Sequence, residues 1–126
     1  MIGYVTLGTN DLSKGAPFYD ALAAEMGTER IAGSEEAGFI AWGPPDGVGG
    51  ISIIKPYNGD AATVGNGVMV AFHAKSREEV DRLYKKALSL GGADEGAPGM
   101  REGEPYYVCY FRDLDGNKLN AFTMAE

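Results

Sequence analysis

The sequence predicts an α+β domain of two paired βαβββ modules, whose eight strands form a curved sheet enclosing a cavity, with the helices on the outer face. Three observations predict it. Short β-favouring runs flank two stretches of helical period, the order strand-helix-strand-strand-strand occurs twice, and several positions repeat at one offset. Tyr84 lies 65 residues after Tyr19 (84 − 19), and the same spacing relates Leu83 to Phe18, Gly92 to Gly27 and Ser76 to Asp11. One such module cannot bury its helix face alone. Two of them, each with its helix packed on one sheet face, leave the opposite faces to curve round a cavity. The chain reads as a single domain, 1–126, with module one at 1–60 and module two at 66–126.

Module one opens with a strand at residues 2–9, where Ile2, Val5, Leu7 and Thr9 are apolar or β-favouring. Asn10 and Asp11 can cap a helix over 12–26, whose buried stripe is Tyr19, Leu22 and Met26 and whose stop is Gly27. Pro17 inside it implies a late start or a mild kink. Strands follow at 29–33, 38–42 and 50–55, with Pro45-Asp46-Gly47 as the turn between the last two. Residues 56–67 form a connector.

Module two repeats the order. A strand covers 68–74, and Ser76 caps a helix with Glu78 and Glu79 in its first turn, where acids complement the helix dipole. Val80, Leu83, Tyr84, Ala87 and Leu88 form its apolar stripe, and Gly91-Gly92 ends it. A short strand near 93–94 precedes a loop through Pro98 and Gly99. Residues 106–112 and 118–124 read as a hairpin around Asp113-Leu114-Asp115-Gly116.

Composition narrows the function. The chain has 126 residues, 44% hydrophobic and 23% charged, enough to bury a core without disulfides or metal. A net charge of −7 repels phosphate backbones and anionic lipid, which argues against nucleic acid and membrane partners. Cys109 is the one cysteine, so no intrachain disulfide can form. No signal peptide and no run of about 18 apolar residues is visible, so a cytoplasmic location is expected.

Strand alternation groups the candidate site residues. Tyr4 shares a face with Thr6, either as a pocket hydroxyl or as a core tyrosine. His73, the single histidine, shares a face with Met69 and Ala71, either as a ligand contact or base or as a rim histidine at a strand end. Asn120 and Phe122 share a face of the last strand. Trp42, Phe39, Tyr106, Tyr107 and Tyr110 could line a pocket for a flat ligand, of which alternation admits only some. Cys109 reads as a buried small hydrophobe. One histidine supports neither a catalytic triad nor a metal cluster, and no phosphate-binding or dinucleotide motif is present.

Three segments carry a family resemblance. Gly3-Tyr4-Val5-Thr6-Leu7 with Asn10-Asp11-Leu12 and Phe18-Tyr19 is one, and Gly65-Asn66-Gly67-Val68-Met69-Val70-Ala71-Phe72 is the second. The third is Arg112-Asp113-Leu114-Asp115-Gly116-Asn117-Lys118-Leu119, with leucine where a proline is usual. In this order they resemble the glyoxalase / bleomycin-resistance / extradiol-dioxygenase superfamily, the vicinal oxygen chelate fold. The resemblance implies four inward positions where metal-using relatives carry His or Glu. Here they fall on Tyr4, on Ser52 or a neighbour, on Met69 and on Asn120. No metal and no cofactor is therefore expected, and the metal-free, ligand-sequestering branch fits. The expected function is metal-independent binding of a small, apolar or aromatic molecule. The alternative is a glyoxalase-type lyase or isomerase with a divergent active site. Expected ligand contacts are Tyr4, Thr6, Trp42, Ser52, Met69, His73, Asn120 and Phe122, and the family habit of pairing modules across subunits implies a homodimer.

Overall fold

A computed structural model describes residues 1–124; residues 125 and 126, the end of the expected second module, lie outside the described residues. By its contacts the chain divides into two units, Met1–Val64 and Gly65–Glu126. Each has the order strand, helix and three strands, and the eight strands are hydrogen-bonded as two sheets of four.

Unit one contains β1 (Tyr4–Gly8), α1 (Leu12–Glu25), β2 (Glu29–Ser34), β3 (Phe39–Gly43) and β4 (Gly50–Ile54), in the sheet order β1-β4-β3-β2. β1 and β4 are parallel, while β3 is antiparallel to both its neighbours. Asp11 caps α1 by accepting the Lys14 N–H at 3.2 Å, satisfying a donor that the first helical turn leaves orphaned. The helix starts at Leu12, not later. Pro17 sits inside it on the exposed side and has no N–H to give the Ser13 carbonyl. Met26 is the C-cap, not part of the buried stripe, and Gly27, at φ 75°, takes the left-handed turn that ends the helix.

α1 packs on β2, β3 and β4 but not on β1. Beneath it lie Ile40, Trp42, Ile51 and Ile53, all buried. Asp20 ties this layer together. It accepts the Trp42 Nε1–H at 2.8 Å and both arms of the Arg30 guanidinium at 2.8 Å. The Arg30 pair holds the Asp20 carboxyl below its ordinary pKa, helped by the Trp42 N–H. Val5 faces the helix side from β1, and because α1 does not reach that strand it is only half-buried.

Unit two contains β5 (Val70–His73), α2 (Arg77–Ser89), β6 (Ala93–Met100), β7 (Tyr107–Arg112) and β8 (Lys118–Thr123), in the order β5-β8-β7-β6. Ser76 caps α2 by accepting the Glu79 N–H at 3.1 Å, and the buried Glu79 carboxylate reaches back to the Lys75 N–H at 2.6 Å. α2 covers β6, β7 and β8, so Leu119 and Ala121 are fully buried while Val70 and Phe72, on β5, are half-buried. β6 differs from expectation. The segment through Pro98 and Gly99 is strand and not loop, with register breaks between Asp94 and Gly96 and between Gly96 and Gly99. Proline and glycine read as loop formers, yet an outermost strand tolerates both where bulges interrupt the ladder.

The hairpin between β7 and β8 is organised by Asp113, which is buried. Its Oδ1 accepts the N–H groups of Asp115 and Asn117, each at 2.9 Å, and its Oδ2 accepts the Asn117 Nδ2–H at 2.9 Å. Asp113→Ala removes the acceptor from two buried Asn117 donors and the part-buried Asp115 N–H, and is expected to cost at least about 2 kcal/mol, since each orphaned buried group is worth ~1–3 kcal/mol. Urea denaturation measures it; a loss below ~0.5 kcal/mol would show that the turn holds without the carboxylate.

Candidate functional site

A pocket of about 420 Å³ lies on the face of the unit-one sheet turned away from α1. Ladder register explains its lining. Thr6 pairs with Ser52, Ser52 with Ala41 and Ala41 with Ala32, so these four side chains form one row across the sheet. The adjacent rows, Val5-Ile51-Trp42 and Leu7-Ile53-Ile40, point to the helix side, as a period of two requires. Tyr4, Phe39 and Ile54 extend the lined face along the strands, Ile31 adds an apolar wall, and Gly47 and Gly50 close one end. Gly50 leaves room that no other residue could, since a Cβ there would stand 2.9 Å from the Trp42 carbonyl oxygen.

The polar centre is a hydroxyl pair, Thr6 Oγ1 to Ser52 Oγ at 2.8 Å. One hydroxyl proton bridges the two oxygens, which leaves one O–H donor and lone pairs for a bound molecule. The lining includes no carboxylate, imidazole, thiol or ammonium, and its one titratable group is the Tyr4 phenol. Apolar walls around a few hydrogen-bonding groups are the ordinary make-up of a small-molecule site.

Of the expected contacts, Tyr4, Thr6 and Ser52 come together in this pocket. Trp42 does not and must be removed from the set: it is 2% exposed beneath α1, stacked on Tyr19 at 5.3 Å with its N–H given to Asp20. Its neighbour in sequence, Ala41, takes the pocket side. Met69 precedes β5 and is exposed. His73, Asn120 and Phe122 lie on the face of the unit-two sheet opposite α2. The His73 and Phe122 rings are stacked at 4.9 Å with an interplanar angle of 6°, and Tyr106 meets Phe122 edge-on at 5.4 Å. Tyr107 is on the helix side, donating to Asp81 at 2.7 Å. Cys109 is there too, and burial pushes its thiol up to about 11, so it is not a nucleophile at neutral pH. Ile31, Ala32, Ala41 and Ile54 were not foreseen. Their apolar character suits either face; the strand register assigns Ala32, Ala41 and Ile54, and Ile31 joins them from the bulge between Arg30 and Ala32.

The register also identifies the position left within a residue of Ser52. Thr6 pairs with Ser52, Ala71 pairs with Asn120, and Thr6 and Ala71 are 65 residues apart (71 − 6), so Ser52 and Asn120 are equivalent. The four positions at which the resemblance implies metal ligands are thus Tyr4, Ser52, Met69 and Asn120. A phenol, a hydroxyl, a thioether and a carboxamide are neutral, and none is an imidazole or carboxylate of the kind that holds Zn, Ni, Mn or Fe. Among the described residues no three His, Cys, Asp or Glu side chains converge. The donor set does not fit a divalent metal. Elemental analysis of the protein after mild desalting is expected to find no stoichiometric transition metal; one equivalent bound at these positions would contradict this.

Comparison with known proteins agrees with the fold. The profile of the Glyoxalase/Bleomycin resistance protein/Dioxygenase superfamily matches residues 1–121. A glyoxalase/bleomycin resistance protein from Albidiferax ferrireducens T118 is 35% identical, with a TM-score of 0.86 over 98% of each chain. A hypothetical protein from S. aureus is 27% identical, with a TM-score of 0.73 over 95% of this chain and 91% of its own. A glyoxalase/bleomycin resistance protein/dioxygenase family enzyme from Burkholderia phytofirmans PsJN shares the fold at 18% identity, with a TM-score of 0.72 over 97% of both chains. Curated proteins give no match. Profile and structural likeness, both spanning nearly the whole sequence, identify the chain as a member of the glyoxalase/bleomycin resistance/dioxygenase superfamily.

Proposed function

We propose that the chain is a metal-independent small-molecule-binding protein that sequesters an apolar or aromatic compound. The observation that carries this reading is the neutral wall of the unit-one pocket. The pocket lining carries no carboxylate, imidazole, thiol or ammonium, the groups that most often serve as base or activated nucleophile. Its volume of about 420 Å³ suits a compound of one or two rings, with Phe39, Ile31 and Ile54 against its faces and the Thr6–Ser52 pair at a polar atom. Phenol is a suitable first probe. Two-dimensional NMR titration is expected to shift the resonances of Thr6, Ala41 and Ser52, and Ala41→Trp, which fills the pocket from the face opposite α1, should weaken binding at least about tenfold with melting little changed. Unmoved resonances at these residues, or undiminished binding by the variant, would count against the pocket.

We also propose a homodimer in a cytoplasmic setting. β1 and β5 each end a sheet and neither lies under a helix. Ile2 and Tyr4 beside the first, and Val68 and Met69 beside the second, are exposed apolar groups that a partner chain would cover. A lone buried thiol suits a reducing compartment, and among the described residues no helix is long and apolar enough to cross a membrane. Sedimentation equilibrium at micromolar concentration is expected to give twice the 13.3 kDa of one chain. A clean 13.3 kDa species would refute the dimer.

A further inference from the structure

We propose that the connector after β4 is a strap that ends the unit-one pocket beside Gly8, and that Asn10 is the positioning residue that latches it there and so limits the length of molecule the pocket admits. The proposal rests on the reading of that pocket as a small-molecule site, and it adds what sets the size limit.

The sheet row at that end of the pocket runs Gly8, Ile54 and Phe39 across β1, β4 and β3. Ile54 and Phe39 line the pocket, and Gly8 is the member of the row on β1. Gly8 follows Tyr4 and Thr6 at a period of two, so it faces the same side. A Cβ built on it would stand 3.0 Å from the Ala62 Cβ and 4.0 Å from the Pro56 Cγ. Ala62 therefore lies over Gly8 on the pocket face of the sheet. Gly8 belongs to the extended backbone of β1, so its conformation does not demand glycine. Room for the connector does.

The connector is shaped to reach this spot and is held on it. Directly after β4 a turn closes, with the Gly59 N–H donating to the Pro56 carbonyl at 3.0 Å and the Asp60 N–H to Asn58 Oδ1 at 3.0 Å. Past the turn Ala62 is half-buried while residues 61, 63 and 64 are exposed, so Ala62 is the inward residue of the strap. Asn10 grips that residue at two points. Its Oδ1 accepts the Ala62 N–H at 2.7 Å, and its Nδ2–H donates to the Ala62 carbonyl at 3.2 Å, across 52 residues of sequence. A carboxamide both accepts and donates, which an ionised carboxylate cannot do. The Thr9 N–H, bound to the Ile54 carbonyl at 2.9 Å, carries the β1–β4 pairing one residue further and sets Asn10 beside the connector.

The strap thus stands about 7 Å from the hydroxyl pair, the rise of two strand residues from Thr6 to Gly8. A ligand O–H on the Thr6–Ser52 pair would point its apolar end along Ile54 and Phe39 toward Ala62. The other end is taken by Ile31, whose Cδ1 lies 3.6 Å from the position of a Gly50 Cβ.

Calorimetric titration with phenol, 4-ethylphenol, 4-propylphenol and 4-butylphenol measures the limit. Each methylene accommodated tightens binding about fourfold, and the gain ceases where the chain meets the strap. Ala62→Gly removes the methyl of the wall and leaves both bonds to Asn10 in place, since those are made by backbone. Asn10→Ala releases the strap from an exposed position, with the core under α1 untouched. Both variants are expected to move the chain-length limit out by about one carbon or more, with phenol itself bound as before. A general loss of stability would weaken all the phenols alike and leave the limit where it was. Amide exchange at Ala62 reads the latch without any ligand, and Asn10→Ala should speed it roughly fivefold, the worth of one hydrogen bond. An unshifted limit in either variant overturns the proposal and leaves the small-molecule reading intact. So does Ala62 exchange that Asn10→Ala leaves unchanged. If no phenol binds the native protein or either variant, the reading of the pocket falls, and the strap's role as its wall falls with it.

Discussion

A four-stranded sheet has two faces, and a single helix can cover only one. Everything particular to this chain follows from how each unit meets that constraint. Alternation forces neighbouring residues of a strand to opposite faces, so the choice made for Trp42 is made at once for Ala41. In unit one the large side chains Ile40, Trp42 and Ile53 go beneath α1, where burial of each contributes roughly 1.5–3 kcal/mol. The opposite face is left with Ala32, Ala41, Ser52 and Gly50, residues small enough to leave a hollow. The pocket is thus the complement of the core. Asp20 strengthens the arrangement, because one carboxylate engages both the indole N–H on β3 and the guanidinium on β2.

The same constraint separates fold from chemistry within the superfamily. The helix-covered faces need only be apolar and well packed, and here they are. The other faces are where relatives place His and Glu around a metal, and this chain presents neutral groups at all four of those positions. The hydroxyl pair of Thr6 and Ser52 can orient a ligand without titrating, and the buried Cys109 thiol lies on the helix side and stays protonated. The protein keeps the superfamily's fold with neutral side chains at those positions.

Much of the fold was legible because its signals are local. Asp11 and Ser76 cap the two helices as their side-chain chemistry predicts, and Gly27 ends the first. The internal spacing of 65 residues marks the repeated module without reference to strand pairing. What was not legible depended on non-local register. Phe39, Ile40, Ala41 and Trp42 are all apolar, so the sequence shows no alternation from which to choose a face, and Trp42 was expected in the pocket when the ladder places it in the core. β6 was expected at only two residues because Gly96, Pro98 and Gly99 look like loop, and nothing local reveals that β7 holds them in an interrupted ladder. The assignment of Ser52 likewise needed its pairing with Thr6.

A crystal structure of the protein taken from the expressing cell without chelators, and recorded with anomalous data, decides between a neutral ligand pocket and a metal centre. Organic density is expected against Thr6, Ser52 and Phe39, with no anomalous peak near Tyr4, Ser52, Met69 or Asn120. An anomalous peak coordinated by those side chains would contradict the neutral pocket.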